Sequence, residues 1–168
     1  MAERCTISSM SSKIRPARSQ DIPSVVGLVR ELAAFEKLPG PDEEAERRFA
    51  EDFTAGRYEL RVAEEEDGQI VAYALFFMTY STFLARPSLF LEDLFVQPAV
   101  RGLGLGAAFL HHLGALAVAR GCGRFEWTVL DWNVRAQKFY QRLGAQLLPE
   151  WQVCRIDGAA LTRLGQAG

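Results

Sequence analysis

Residues 91–106, LEDLFVQPAVRGLGLG, constrain this chain more than any other segment. An apolar run of strand character ends and a short loop turns. Arg101 is then followed by glycines at alternate positions, Gly102, Gly104 and Gly106, before a helix-like run. Backbone N–H groups at a helix start lack intrahelical partners, and the helix dipole adds partial positive charge there. Glycines let such a backbone approach a bulky anion closely, so the segment reads as a phosphate cradle between a strand and a helix.

The flanking elements can be read by period. Residues 13–17 form a short strand. Ser19, Gln20 and Asp21 offer a helix start that tolerates Pro23 in its first turn. Ile22, Val25, Val26, Leu28, Val29, Leu32, Ala33 and Phe35 then recur at helical spacing. Leu38-Pro39-Gly40-Pro41 breaks that helix, and a second, acidic helix covers about residues 42–53. Residues 57–64 alternate as a strand, Asp67-Gly68 is a hairpin signal, and residues 69–80 form a long strand behind it. A strand over 88–97 leads through the glycine loop into a helix over about 105–120, stopped by Gly121 and Gly123. A strand over 125–130 follows, then a helix from Asn133 to Leu143 ended by Gly144, and a last strand over 152–156. Short turns make the early strands antiparallel, whereas a helix bridges 88–97 and 125–130 and makes that pair parallel. The expected fold is α/β: a mixed, mostly antiparallel central sheet splayed at one parallel strand pair, with helices on both faces. The cradle sits at the mouth of the gap.

The 168 residues suit a single domain, expected over 13–168, with a loose polar tail over 1–12 in which Met10 is an alternative start. A net charge of -2 gives no reason to expect nucleic acid or an anionic membrane as partner. No apolar run approaches the roughly 20 residues that span a bilayer, and residues 1–12 lack the apolar core of a secretory signal. Cys5, Cys122 and Cys154 form neither a metal-ligand spacing nor an even disulfide framework, so a reducing cytoplasm and no metal are expected.

Three readings of the cradle compete. A tight strand-to-helix turn explains one glycine but not three. Gly102-x-Gly104-x-x-Ala107 fits the relaxed dinucleotide pattern, with Glu126 downstream, yet five residues separate it from Val96 where the fingerprint follows its strand directly. A P-loop is excluded because no Gly-Lys-Ser/Thr follows. The third reading includes Arg101. Arg-x-x-Gly-x-Gly after a strand and loop resembles the acetyl-CoA-binding signature of the GNAT N-acetyltransferases. LEDLFV, RGLGLG, VLDWN and FYQRLGA resemble, in order and spacing, the spermidine/spermine (diamine) and thialysine acetyltransferase branch. The resemblance covers about residues 13–157. It implies a GNAT fold, acetyl-CoA as acetyl donor, a small cationic amine as acceptor, and a homodimer.

Acyl transfer from a thioester to an amine must deprotonate the amine, stabilise the developing oxyanion, protonate the leaving thiolate and align the reactants. Glu92 is the candidate base. Period-two alternation groups it with Phe90, Leu94 and Val96 and turns Asp93 to the other face. A carboxylate among apolar neighbours is expected to have a raised pKa, while a structural ion pair is the alternative. Unpaired backbone at Leu94, Phe95 and Val96 offers hydrogen bonds to a pantetheine arm, with the Leu94 N–H toward the thioester oxygen. The cradle itself comprises Arg101, Gly102, Leu103, Gly104, Leu105, Gly106 and Ala107. Tyr140 is the candidate acid, on one helix stripe with Ala136 and Gly144; its alternative is a satisfied tyrosine at the core edge. The resemblance implies that Tyr140, Ala136 and Asn133 contact the coenzyme, and Asn133 is also a good N-cap. No cysteine has a His-Asp set beside it, so direct transfer is expected. His111 and His112 are adjacent, face different directions on their helix, and read as surface or edge residues rather than ligands.

Separated carboxylates suit an acceptor with several ammonium groups, and aromatic faces add cation–π contact. Glu36, Glu92, Asp93, Glu126 and Glu150, with Phe35, Trp127, Thr128, Trp132 and Trp151, are the candidates. Phe35-Glu36, Glu92 and Asp93 match the branch, whereas GAQLLPEW after the last helix is shorter than the branch's usual stretch. A non-catalytic acetyl-CoA sensor and an acetyltransferase of protein amines remain as alternatives.

Overall fold

The computed structural model describes residues 12–166. In chain order it contains β1 (Lys13–Pro16), α1 (Ile22–Glu36), α2 (Glu43–Thr54), β2 (Glu59–Glu64), β3 (Ile70–Ser81) and β4 (Arg86–Val96). These are followed by α3 (Leu105–Ala119), β5 (Arg124–Trp127), α4 (Val134–Arg142) and α5 (Gly158–Gln166). Short 3-10 turns occupy Ser19–Asp21 and Pro98–Val100. Apart from Ser12, the tail read over 1–12, with Cys5 and Met10, lies outside the described residues. The chain divides into two compact units between Thr128 and Val129.

In the N-terminal unit the five strands follow the order β1-β2-β3-β4-β5. The first three pairings are antiparallel and β4–β5 is parallel, as the turn lengths and the α3 crossover require. The hairpin signal holds: Gly68 takes φ 85 and the Asp67 carboxylate accepts the Gln69 N–H at 2.9 Å. Asp42 caps α2 by accepting the Ala45 N–H at 2.8 Å.

Helices cover both faces. On one, α1 buries Ile22, Val25, Val26 and Leu28 against Leu60, Val62, Tyr73, Leu75 and Phe95, and α2 adds Phe49, Ala50 and Phe53. On the other, α3 brings Arg120 over the Phe76 ring and His112 to Arg61, and it buries Phe109 and Leu113 completely. Buried Arg15 ties β1 to its neighbours. It forks onto Asp21 at 2.7 and 3.0 Å and donates to Glu64 at 2.6 Å.

In the C-terminal unit, α4 begins as expected: the Asn133 Oδ1 accepts the Ala136 N–H at 3.2 Å, and Gly144 follows the helix at φ 93. Two expectations fail there. The strand over 152–156 does not form, because its apolar alternation finds no ladder partner among the described residues. The helix α5 was not foreseen, although Leu161 and Leu164 are three apart in GAALTRLGQ. The strand expected over 125–130 also stops at Trp127.

Candidate active site

The cradle starts where β4 runs out. The Gln97 N–H still reaches the Val71 carbonyl of β3 at 3.0 Å; then Pro98–Val100 coils once and buries Val100. Arg101 turns back along the strand. Its Nε donates to the Val96 carbonyl at 2.7 Å, and its guanidinium lies over the rings of Phe35 and Phe95 at 5.6 and 5.3 Å. Arg101 thus pins the loop between the end of α1 and the end of β4. Gly102 and Gly104 take φ 86 and 85, a left-handed backbone that a Cβ penalises, whereas Gly106 is an ordinary helical residue. The first helical hydrogen bond runs from the Ala108 N–H to the Gly104 carbonyl at 3.0 Å. Among the described residues no acceptor takes the N–H groups of Gly102, Gly104, Leu105, Gly106 or Ala107. A Cβ built on Gly102 or Gly104 meets no heavy atom within 4 Å, so their left-handed backbone rather than crowding calls for glycine. Five free donors at a helix start fit a diphosphate.

The splay comes next. The parallel ladder runs from Ser88–Arg124 to Leu91–Trp127 and stops, while β4 continues to Val96. Antiparallel hydrogen bonds alternate, so Gln97, Phe95 and Asp93 point their backbone groups at β3. Leu94 and Val96 point theirs at the open edge. Arg101 takes the Val96 carbonyl, which leaves the Leu94 N–H and C=O beside the gap.

Where the ladder ends, β4 also bulges. Phe76 pairs with Leu91 and Leu75 pairs with Asp93, so Glu92 is the extra residue. The bulge overturns the simple alternation. Glu92 is solvent-exposed rather than set among apolar neighbours. Asp93 moves to the α1 face with Tyr73, Leu75, Phe90 and Phe95. The half-buried carboxyl is therefore Asp93. Burial pushes it up to about 6; the charges of Glu92 and Glu36 add to the rise, and the Tyr73 hydroxyl, 3.3 Å away, opposes it.

Glu36 at the end of α1, Glu92 and Asp93 thus form one acidic cluster, flanked by Phe35. Glu126 shares the Phe90 face but is engaged by Arg124 at 2.7 Å. Trp127 lies on the opposite face, opposite Leu91, with its ring 4.9 Å from Phe125, and Thr128 follows β5 in an exposed position. In the C-terminal unit, Ala136 and Tyr140 lie four apart on α4, the Tyr140 ring is 5.3 Å from Phe139, and burial raises its phenol. Trp132, Glu150 and Trp151 are exposed. Sequence reading missed Tyr73. Only the strand register, displaced by the bulge, brings it to Asp93, twenty residues away.

The Acetyltransferase (GNAT) family profile matches residues 27–145. The chain belongs to the GNAT acetyltransferase family. It is 36% identical over 166 residues to the thialysine N-epsilon-acetyltransferase of Mus musculus, an alignment covering 92% of this chain and 97% of the relative. It is 29% identical to the L-ornithine N5-acetyltransferase NATA1 of Arabidopsis thaliana, with 90% and 87% covered. Among solved structures, an integron cassette protein of V. cholerae superimposes with a TM-score of 0.79 at 25% identity, covering 94% of this chain and 99% of that one. This GNAT chain is an enzyme, and the family's acetyl donor is acetyl-CoA. Among the described residues no group of three or more His, Cys, Asp or Glu side chains could hold a metal ion, and no helix is long and apolar enough to cross a membrane.

Proposed function

We propose that this GNAT enzyme acetylates a primary amine of a small acceptor with at least two cationic groups, a diamine, polyamine or thialysine/lysine-like amino acid. The acidic cluster of Glu36, Glu92 and Asp93 beside the open edge of β4 carries the reading, because three carboxylates around one gap attract separated ammonium groups. The acceptors in the relatives' names agree: thialysine and ornithine each carry a side-chain amine beyond an α-amino group.

Acetyl-CoA supplies an acetyl group activated as a thioester. The N–H groups from Gly102 to Ala107 hold its diphosphate, and the open backbone of Leu94 and Val96 bonds its arm. Asp93 and Glu36 hold acceptor cations against the Phe35 face. Glu92, exposed at the bulge, takes the ammonium proton directly or through one water. The Leu94 N–H donates to the oxygen on which charge builds. Tyr140 Oη provides the proton for the departing sulfur, and Asn133 and Ala136 on the same helix belong to the coenzyme side. Trp132, Glu150 and Trp151 are the C-terminal unit's candidates for acceptor contact. The enzyme works in a reducing compartment, the cytoplasm, as a homodimer.

The deciding experiment is a panel of polyamines, diamines, thialysine, lysine, ornithine and lysine-bearing peptides with acetyl-CoA, read by release of free thiol. Release with small cationic amines is expected. Tight coenzyme binding without thiol from any amine identifies a sensor, and release with peptides alone identifies a protein-modifying enzyme.

A further inference from the structure

Tyr73 lies in the middle of β3, with Val62 and Phe95 opposite it on β2 and β4, and its side chain is fully buried. Phenylalanine would fill the same core volume without a hydroxyl to desolvate. The hydroxyl has a use only because the bulge at Glu92 turns Asp93 onto this face, where the Tyr73 Oη donates to the Asp93 Oδ2 at 3.3 Å. In an unbulged strand Asp93 would lie on the far side of the sheet.

We propose that Tyr73 is a positioning residue for the acceptor: its buried hydroxyl fixes one oxygen of Asp93, which keeps that carboxylate ionised and leaves the other oxygen for the substrate ammonium. This inference rests on the acceptor reading above. The groups that act on Asp93 are Glu92 on its own strand, Glu36 from α1 and Tyr73 from β3. The two carboxylates and burial favour the protonated, unproductive form, and the Tyr73 hydrogen bond works against them. A protonated Asp93 does not attract an ammonium, so acceptor binding has an acidic limb where Asp93 titrates, near pH 6. Removing the hydroxyl moves that limb upward.

The test uses the full chain with the best amine of the panel. Tyr73→Phe is expected to raise the acceptor KM about three- to ten-fold at pH 7. The acidic limb of kcat/KM should move up by roughly half a pH unit or more. The KM for acetyl-CoA and kcat at saturating acceptor at pH 8 should stay nearly constant. Asp93→Asn is expected to remove the rise of acceptor KM near pH 6, leaving only the pH dependence of turnover, and adding Tyr73→Phe to it should have little further effect. The carboxyl carbon of Asp93, followed by NMR titration in protein without ligands, reports the same shift with no acceptor present. An unmoved limb and titration in Tyr73→Phe overturn the inference, as does an acceptor KM that still rises near pH 6 in Asp93→Asn. A wild-type enzyme inactive with every amine defeats the acceptor reading instead, and the NMR titration still decides whether Tyr73 controls Asp93.

Discussion

At the scale of single residues, neighbouring carboxylates on one strand are given different environments by one extra residue. Glu92 is exposed to water, whereas Asp93 is half-buried, and burial favours its neutral form. Glu92→Gln is therefore expected to lower turnover most at low pH, where free amine is scarcest and a base matters most. A pH–rate profile that coincides with wild type at every pH removes Glu92 from the role. Tyr140→Phe is expected to slow the thiol-release step while leaving coenzyme affinity nearly intact. Single-turnover kinetics beside calorimetry separate these effects, and a large loss of affinity would make Tyr140 a binding residue. The residue types for this chemistry were legible in LEDLFV and FYQRLGA. The exposure of Glu92 and the partner of Asp93 were not. Period-two reading assumes an unbroken ladder, and nothing in that run marks a bulge.

At the scale of elements, the strand–loop–helix unit from β4 to α3 was read almost to the residue, because its signals are local. Pro98 ends the strand and glycines meet the helix start. Its geometry makes a contrast testable within one helix. Gly104→Ala places a Cβ at φ 85, costing about 1–2 kcal/mol and tilting the free N–H groups, so coenzyme affinity is expected to fall at least about ten-fold. Gly114→Ala sits inside α3 where a Cβ meets nothing within 4 Å. It should stabilise the fold by about 0.5–1 kcal/mol with unchanged affinity. Equal behaviour of the two variants in calorimetry and thermal melting would deny the cradle its backbone logic. The buried fork from Arg15 onto Asp21 gives a second test. The Arg15 guanidinium holds the Asp21 carboxyl below its ordinary value of 3.8. The stability this supplies is fully present above that value and is lost as pH falls through the depressed one. Asp21→Asn should thus cost about 1–3 kcal/mol at pH 7 in denaturant melts, and the gap to wild type should close in strong acid. A gap that is constant down to the acid limit contradicts the ion pair.

At the scale of the whole molecule, the strand expected over 152–156 failed for a reason local pattern cannot supply. A strand exists only beside another, and this segment has none among the described residues. What remains is a C-terminal unit with Trp151, Val153, Ile156, Leu161 and Leu164 all exposed. Apolar side chains gathered in this way are ordinarily covered in a stable assembly. The homodimer proposed above would cover them. Antiparallel pairing of residues 150–155 with the same residues of another copy sets Glu150 opposite Arg155 twice, once on each side of a two-fold axis. Such pairing would satisfy both charges and cover the apolar residues between them. Light scattering should give a mass twice the 18.7 kDa of one chain. Val153→Asp with Ile156→Asp should halve that mass without loss of helix content by circular dichroism. Arg155→Glu alone should weaken the dimer, and Glu150→Arg combined with it should restore pairing, because the double exchange preserves the sign match. A single-chain mass at every concentration, or a dimer indifferent to two buried aspartates, would show that these residues are covered in some other way.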